Sequence, residues 1–493
     1  MAIVFDQIPS NLLVPGVYTE ANFRNAAQGT STLPRRALIV GQRLSTGAVA
    51  TGVPYQIFSP SDAESGSGSG SMLAEMAHVF KASNKYTELW GIGLDDNGSG
   101  VPATGTITIT GPATAAGTLA LLVAPYWVGS DIRGRYLISV ASGDSATTIA
   151  TAIVAAITAD PYRSVSASNS AGVVTITARH DGTQGNSIVA THSYFAGEKL
   201  PAGVGVAIVA MASGATNSNV ATAIAAMGDA HTTHLVQPWT DATTLTAVET
   251  EMTRRWGGTV QRECHAFAAA SGSLGTLTTL GDGRNSEFSS IFGSGLSPSP
   301  VWVVAADIAA IDAASNHPGR PLRGKLINCM LAPAPGSEFD GDDRQQLLAE
   351  GIATYTVNSS GKCIIERLVT TYQEDSFGNA SSVFRDRQVA GTAFAIRYDW
   401  RTYIGLKYPD FMHAADGSVY APGLPIVTPA TIKAEFASRA RNTWTREEGW
   451  MENPDQFLAD IVIERTTDGM DMIGAPDLIN GLHIIRTRFD FKR

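Results

Sequence analysis

The chain of 493 residues has only three cysteines, Cys264, Cys329 and Cys363, and they stand far apart with no C-x-x-C spacing. That excludes the usual zinc patterns. Charge is also scarce, since Asp, Glu, Lys and Arg make up 16% of the residues where an average soluble protein has roughly 25%. Two readings fit the small neutral residues that replace them: a surface largely covered by other subunits, or β-rich loops decorated with Gly, Ala and Thr. No run approaches the roughly 20 apolar residues that span a bilayer, and Asp6 interrupts the first apolar residues at once, so neither a secretory leader nor membrane insertion is expected. A protein made and kept soluble in the cytosol is the expectation. The net charge of −10 comes without a long basic run, so nucleic acid is not an expected partner.

What is present is concentrated at the two ends. Residues 1–22 contain Ile8-Pro9-Ser10-Asn11-Leu12-Leu13-Val14-Pro15-Gly16-Val17-Tyr18, in which prolines forbid helix and β-branched or aromatic residues alternate with turn formers. Ile8, Leu12, Val14, Val17 and Tyr18 are the candidate contact residues of this arm. At the other end, extended geometry puts Ile485, Thr487, Phe489 and Phe491 on one face and Arg486, Arg488 and Asp490 on the other. A lone strand can neither satisfy its backbone nor bury its apolar face. Each arm therefore needs a sheet to join, in its own subunit or in a neighbour, and the apolar patterning favours donation.

Between the arms the chain alternates. A buried-type strand at 36–42, a second at 55–58, a helix at 72–82 capped by Ser71 and a strand at 88–94 predict an α/β unit with a parallel crossover. From 104 to 212 alternating strands dominate, interrupted by a helix at 145–159. Helix and strand alternation then resumes and ends in a long helix at 301–314. The expected class is thus a discontinuous α/β core with an inserted β-rich domain and extended terminal arms. Its boundaries are 1–34 for the N-terminal arm and linker, 35–96 plus 213–330 for the core, 97–212 for the insertion, 331–481 for a C-terminal α+β region and 482–493 for the last arm. The last region is expected to hold a hairpin with strands 353–357 and 363–372, then helices at 382–407, 431–443 and 454–459.

Motifs for chemistry fail on detail. Gly66-Ser67-Gly68-Ser69-Gly70-Ser71 precedes a helix, but residues intervene after the strand and Ser71 stands where a dinucleotide fingerprint has its third glycine, so a flexible loop is expected. Gly324-Lys325 and Gly361-Lys362 are followed by Leu326 and Cys363, not by the hydroxyl a P-loop requires. His231 and His234 lack an acid at zincin spacing. Cys264 and His265 are strand neighbours on opposite faces and cannot act as nucleophile and base together. Asp340-Gly341-Asp342-Asp343 lacks the glycine and glutamate of a calcium loop and reads as a helix N-cap. No cofactor, metal or catalytic set is expected.

Several segments in order resemble the contractile tail sheath proteins of Mu-like bacteriophages: Ile8-Pro9-Ser10-Asn11 with Val14 to Tyr18, Ala37 to Gln42, Gly70 to Met76, Tyr86 to Trp90, Ala178 to Gly182, Gly351 to Tyr355, Glu366 to Gln373 and Val427 to Glu435. The Gly-Ser expansion at 65–71 departs from that family's pattern. The resemblance implies a non-enzymatic subunit that polymerises with itself as stacked six-fold rings around a tail tube protein. Baseplate and tail terminator proteins are the further implied partners. It implies assembly in the host bacterial cytoplasm, a place in the virion tail, a metastable extended state and contraction during infection. The insertion is implied to face outward and the C-terminal region to face the tube, with Lys433, Arg439 and Arg441 offering positive charge to it. The linkers 22–34 and 471–481, rich in Gly, Asn or Pro, are the expected compliant segments. Reduced cysteines are expected during assembly, with Cys329 and Cys363 as candidates for a disulfide between subunits after release. A sheath of a non-phage contractile injection system, an α/β nucleotide-binding enzyme, and a capsid, tube or adhesin protein are the competing classes.

Overall fold

The computed structural model describes residues 14–16, 19, 33–417, 419–421 and 423–491. The chain divides into two compact units, one of residues 34–394 with 478–493 and one of residues 1–33 with 395–477.

The larger unit is built on one sheet. Strand β1 (Arg36–Gln42) is followed by β2 (Pro54–Ile57), helices α1 (Pro60–Ser67) and α2 (Met72–Ser83), and β3 (Glu88–Leu94). The chain then leaves for the insertion: β4 (Pro102–Thr110), β5 (Gly117–Val128), β6 (Asp131–Val140), α3 (Ala146–Ala159), β7 (Val165–Ser170), β8 (Val173–Asp181), β9 (Ala190–His192) and β10 (Gly205–Ala212). It returns through α4 (Val220–Met227), β11 (His234–Val236), α5 (Ala242–Trp256), β12 (His265–Ser271), α6 (Leu274–Asp282), β13 (Ser289–Gly295) and α7 (Val301–Ala313). Last come α8 (Gly341–Ala349), β14 (Ile352–Val357), β15 (Cys363–Arg367) and α9 (Arg387–Lys407), the helix that runs on into the second unit.

The sheet order is β15-β14-β13-β12-β11-β1-β3-β2. The inner six strands pair in parallel, while β15 and β2 close the two edges antiparallel. Parallel strands covered by helices on both faces read as continuous apolar runs, which is why Ala37 to Val40 and Ala266 to Ala270 are buried throughout. Helix α7 is buried nearly all round, and α2 packs against it.

Two readings from sequence are corrected. The hairpin β14–β15, grouped with a separate C-terminal region, extends the core sheet instead, with Ile352 and Ala353 in parallel register with Ile291 and Phe292. Its second strand stops at Arg367 and the next helix starts at Arg387, not Ser382, because the segment between is tied back by Thr370 N–H to the Arg385 carbonyl and by a two-pronged Arg367–Asp386 pair at 2.8 and 2.9 Å. The Gly-Ser run is not a flexible loop. Its first residues end α1 and the rest make a turn into Ser71, whose side chain accepts from Ala74 N–H. A Cβ at Gly66 would stand 2.5 Å from the Tyr55 ring, and Gly70 has φ +71 with the Arg179 guanidinium against it. Absence of side chains serves close packing here.

In the insertion a four-stranded sheet, β10-β4-β8-β7, and a three-stranded one, β6-β5-β9, enclose a core with α3, whose Ile149, Ile153 and Ile157 are buried as their spacing predicts. Glu75 of α2 joins the insertion to the core. One carboxyl oxygen lies 2.5 Å from Ser164 Oγ, and the other accepts from Trp302 Nε1 of α7 at 2.6 Å. Burial pushes the Glu75 carboxyl up to about 8, against the opposing pull of Ser164, Trp302 and Arg179. An acid raised in the folded state above its ordinary 4.5 gives stability that is complete below the unfolded value and is lost as pH rises through the folded one. Glu75→Gln should therefore flatten the fall in thermal midpoint between pH 5 and pH 8.5, raising the midpoint at the upper pH by on the order of 5 °C relative to the parent. Parallel melting curves with equal pH slopes would contradict this.

Candidate assembly surface

The last arm leaves the core at Gly481 to His483. Arg323 donates to the His483 carbonyl at 2.8 Å, and the His483 ring lies 3.5 Å from Asp386. Beyond it, no ladder among the described residues includes 482–491. Ile485, Phe489 and Phe491 are 76, 75 and 94% exposed, and the Phe489 and Phe491 rings stack at 6.2 Å. Thr487, on the same face, is exposed too. The arm is extended, and its apolar face lies open. In the first arm Val14 is exposed, while Ile8, Leu12, Val17 and Tyr18 lie outside the described residues.

The second unit carries an antiparallel hairpin of Val462–Arg465 with Met470–Ile473. Register puts Val462, Ile473, Glu464 and Asp471 on one face and Ile463, Met472, Arg465 and Met470 on the other. Helix α10 (Pro429–Ser438) packs on its first strand, yet Val462 and Ile473 remain exposed. An isolated two-stranded hairpin is marginal in water, and no third strand among the described residues joins its outer edges.

Of the three cations expected to face a tube, two are on the surface. Lys433 is exposed on α10, with Nζ 3.4 Å from the Ile461 carbonyl, and Arg441 is exposed and pairs with Asp455 at 2.8 Å. Arg439 is not available. It is 5% exposed, donates to both oxygens of Asp399 and lies over the Tyr403 ring at 4.3 Å. Asp399 also accepts from Trp444 Nε1 at 2.8 Å. The reason is local: Arg439 stands two turns after the buried Ile432 on the same helix face, which directs it inward to Asp399, just where π turns begin over Arg439–Glu447. Sequence reasoning also missed Glu435, which accepts from Lys407, Tyr403 and Tyr408. The signal was the aromatic density of 398–408.

The disulfide expectation is withdrawn. Cys329 and Cys363 are each 0% exposed and Cys264 is buried. Burial pushes all three thiols up, those of Cys264 and Cys363 to about 12, so neither exposure nor thiolate character exists for a bridge between subunits. The other singled-out groups have structural partners. His234 bonds Asp312 at 3.1 Å, His265 bonds Ser290 at 2.8 Å away from Cys264, and Asp340 caps α8 by accepting from the Asp342 and Asp343 amides.

Residues 213–371, the half of the core sheet that follows the insertion, match the family described as phage tail sheath protein central domain. Over its full length the chain is 32% identical to the Mu-like prophage FluMu tail sheath protein of Haemophilus influenzae, covering 100% of both chains. The chain belongs to the phage tail sheath family, and within it to proteins similar to the Mu-like sheath. The relatives are tail sheath proteins, a structural and not an enzymatic class. Two solved structures also align along nearly all of it. They are a sheath tail protein of Desulfitobacterium hafniense (11% identity, 95% of this chain and 97% of that one, TM-score 0.49) and the sheath of an extracellular contractile injection system, PVC, in its contracted state (9%, 98% and 99%, 0.46).

Buried, high-pKa thiols generate a measurement. The native protein should react with less than one equivalent of a disulfide thiol reagent over minutes and with three after denaturation, and should run as monomer on a non-reducing gel. Rapid labelling of Cys329 or Cys363 in the native state would contradict the burial.

Proposed function

We propose that this protein is the non-enzymatic sheath subunit of a contractile phage tail, polymerising as helically stacked six-fold rings around a tail tube, with baseplate and terminator proteins at its ends. Family membership supports a virion-tail location, and assembly in the host cytoplasm follows from the reading. The observation that carries the mode of assembly is the open apolar face of residues 485–491, which no strand of its own described chain covers.

In this reading each arm adds a strand to a neighbour's sheet, and the hairpin 462–473, whose edges no described strand pairs, is the acceptor. Strand addition satisfies the arm's backbone and buries its face in one event. The lattice then stays connected by hydrogen bonds while subunits rotate, and residues 22–34 and the part of the expected linker 471–481 that follows the hairpin strand Met470–Ile473 take up the change. The core with the C-terminal region lies toward the tube and the insertion 97–212 faces outward. Lys433 and Arg441 offer the tube screened, reversible contacts. Extended and contracted lattices are two packings of one subunit. A modest difference in buried surface per subunit, multiplied along the lattice, drives contraction, and cooperative contacts delay it.

The test separates folding from assembly. Deleting residues 1–22 or 483–493, or replacing Phe489 by Asp, should leave a soluble subunit that forms no tubes in negative-stain images. For Phe489→Asp the exposed position implies a stability change within about 0.5 kcal/mol. Tubes of normal length from any of these variants would contradict the reading.

A further inference from the structure

The roots of the two arms meet at adjacent residues. Arg35, at the end of the N-terminal linker, donates to the Ala313 and Ser315 carbonyls at the end of α7, the first at 2.7 Å. Asp312 in that last turn bonds His234 and pairs with Arg387 at 3.0 Å. Burial alone would raise the Asp312 carboxyl, but Arg387 and then His234 override it and hold the group below the usual carboxylate range. Arg387 is buried, with its guanidinium 5.7 and 5.8 Å from the Phe267 and Phe394 rings. Its chain neighbour Asp386 holds the other root: it pairs with Arg367 and lies 3.5 Å from the ring of His483, while Gly481 packs against Pro321. Arg387 is also the first residue of the 21-residue helix α9.

The geometry points to Asp386 and Arg387 as one anchor that couples the two arms within a subunit. A pull on residues 483–491 bears on Asp386. Displacing Asp386 moves Arg387, which is confined between two aromatic rings and ion-paired to Asp312, and Asp312 shares its helix turn with the acceptors of Arg35. The path is a short run of ion pairs, hydrogen bonds and close contacts among partly and fully buried residues, the kind of network whose members are energetically coupled. The two arms of one subunit are then coupled rather than two independent tethers. The purpose of this coupling rests on the proposed donation of the arms, whereas its existence does not.

The experiment is amide hydrogen exchange on the full-length, unassembled subunit. Arg36 N–H donates to Thr233 Oγ1 at 3.1 Å and Thr233 N–H to the Arg36 carbonyl at 2.8 Å, so these two amides report the first root, and Thr370 N–H, which donates to the Arg385 carbonyl at 2.7 Å beside Asp386, reports the second. Asp386→Asn, which touches the second root directly, should speed exchange at both, by about tenfold at Arg36 and Thr233 if coupling sits mid-range for one ion-pair network. Asp312→Asn should do the reverse, speeding Thr370 as well as its own root, and serves alone if Asp386→Asn does not fold. Glu198→Gln, which breaks the Arg135 pair in the insertion, should leave both roots unchanged. Loosening confined to the root each variant touches would overturn the anchor. A failure of the arm deletions to block tubes would instead overturn strand donation and leave this measurement standing.

Discussion

A β-strand without a neighbour is the constraint on which this molecule turns. Residues 484–491 carry backbone donors and acceptors that no described part of the chain pairs, and they present Ile485, Phe489 and Phe491 to solvent. Water satisfies the backbone but not the apolar face, so the cost of exposure is relieved only by an edge of matching geometry. In the proposed assembly the hairpin 462–473, two-stranded among the described residues, supplies such an edge. The low charge content agrees with a surface made to be covered.

The rest of the larger unit is built the opposite way. Its eight-stranded sheet carries antiparallel strands at both edges and packs against the buried helices α2 and α7, and the insertion is bonded to it through Glu75, Ser164 and Trp302. The charge pairs around Asp312 and Asp386 sit where that unit hands over to the arms.

Much of this was legible in the sequence because the signals were local. Continuous apolar runs marked β1 and β3, isoleucines four residues apart marked α3, Ser71 and Asp340 marked helix starts, and alternation in 485–491 marked the arm. What was missed depended on tertiary context. The hairpin β14–β15 joins the core by a register with β13 that no local pattern encodes. The Gly-Ser run looked loose because closeness of Tyr55 and Arg179 is invisible along the chain. Arg439 was expected at the surface for its charge, and the buried Asp399 carboxylate that receives it together with Trp444 is distant in sequence. The cysteines near predicted turns are in fact core residues, since packing, not sequence position, decides burial.

The central claim is that the arm completes another subunit's sheet. It is tested most directly by a cryo-EM map of the polymerised protein at a resolution that traces the backbone. The account predicts residues 484–491 as a strand hydrogen-bonded to a sheet edge of a neighbouring subunit, with Ile485, Phe489 and Phe491 buried. Density that folds the arm onto its own subunit, or leaves it in solvent in an intact tube, would contradict it.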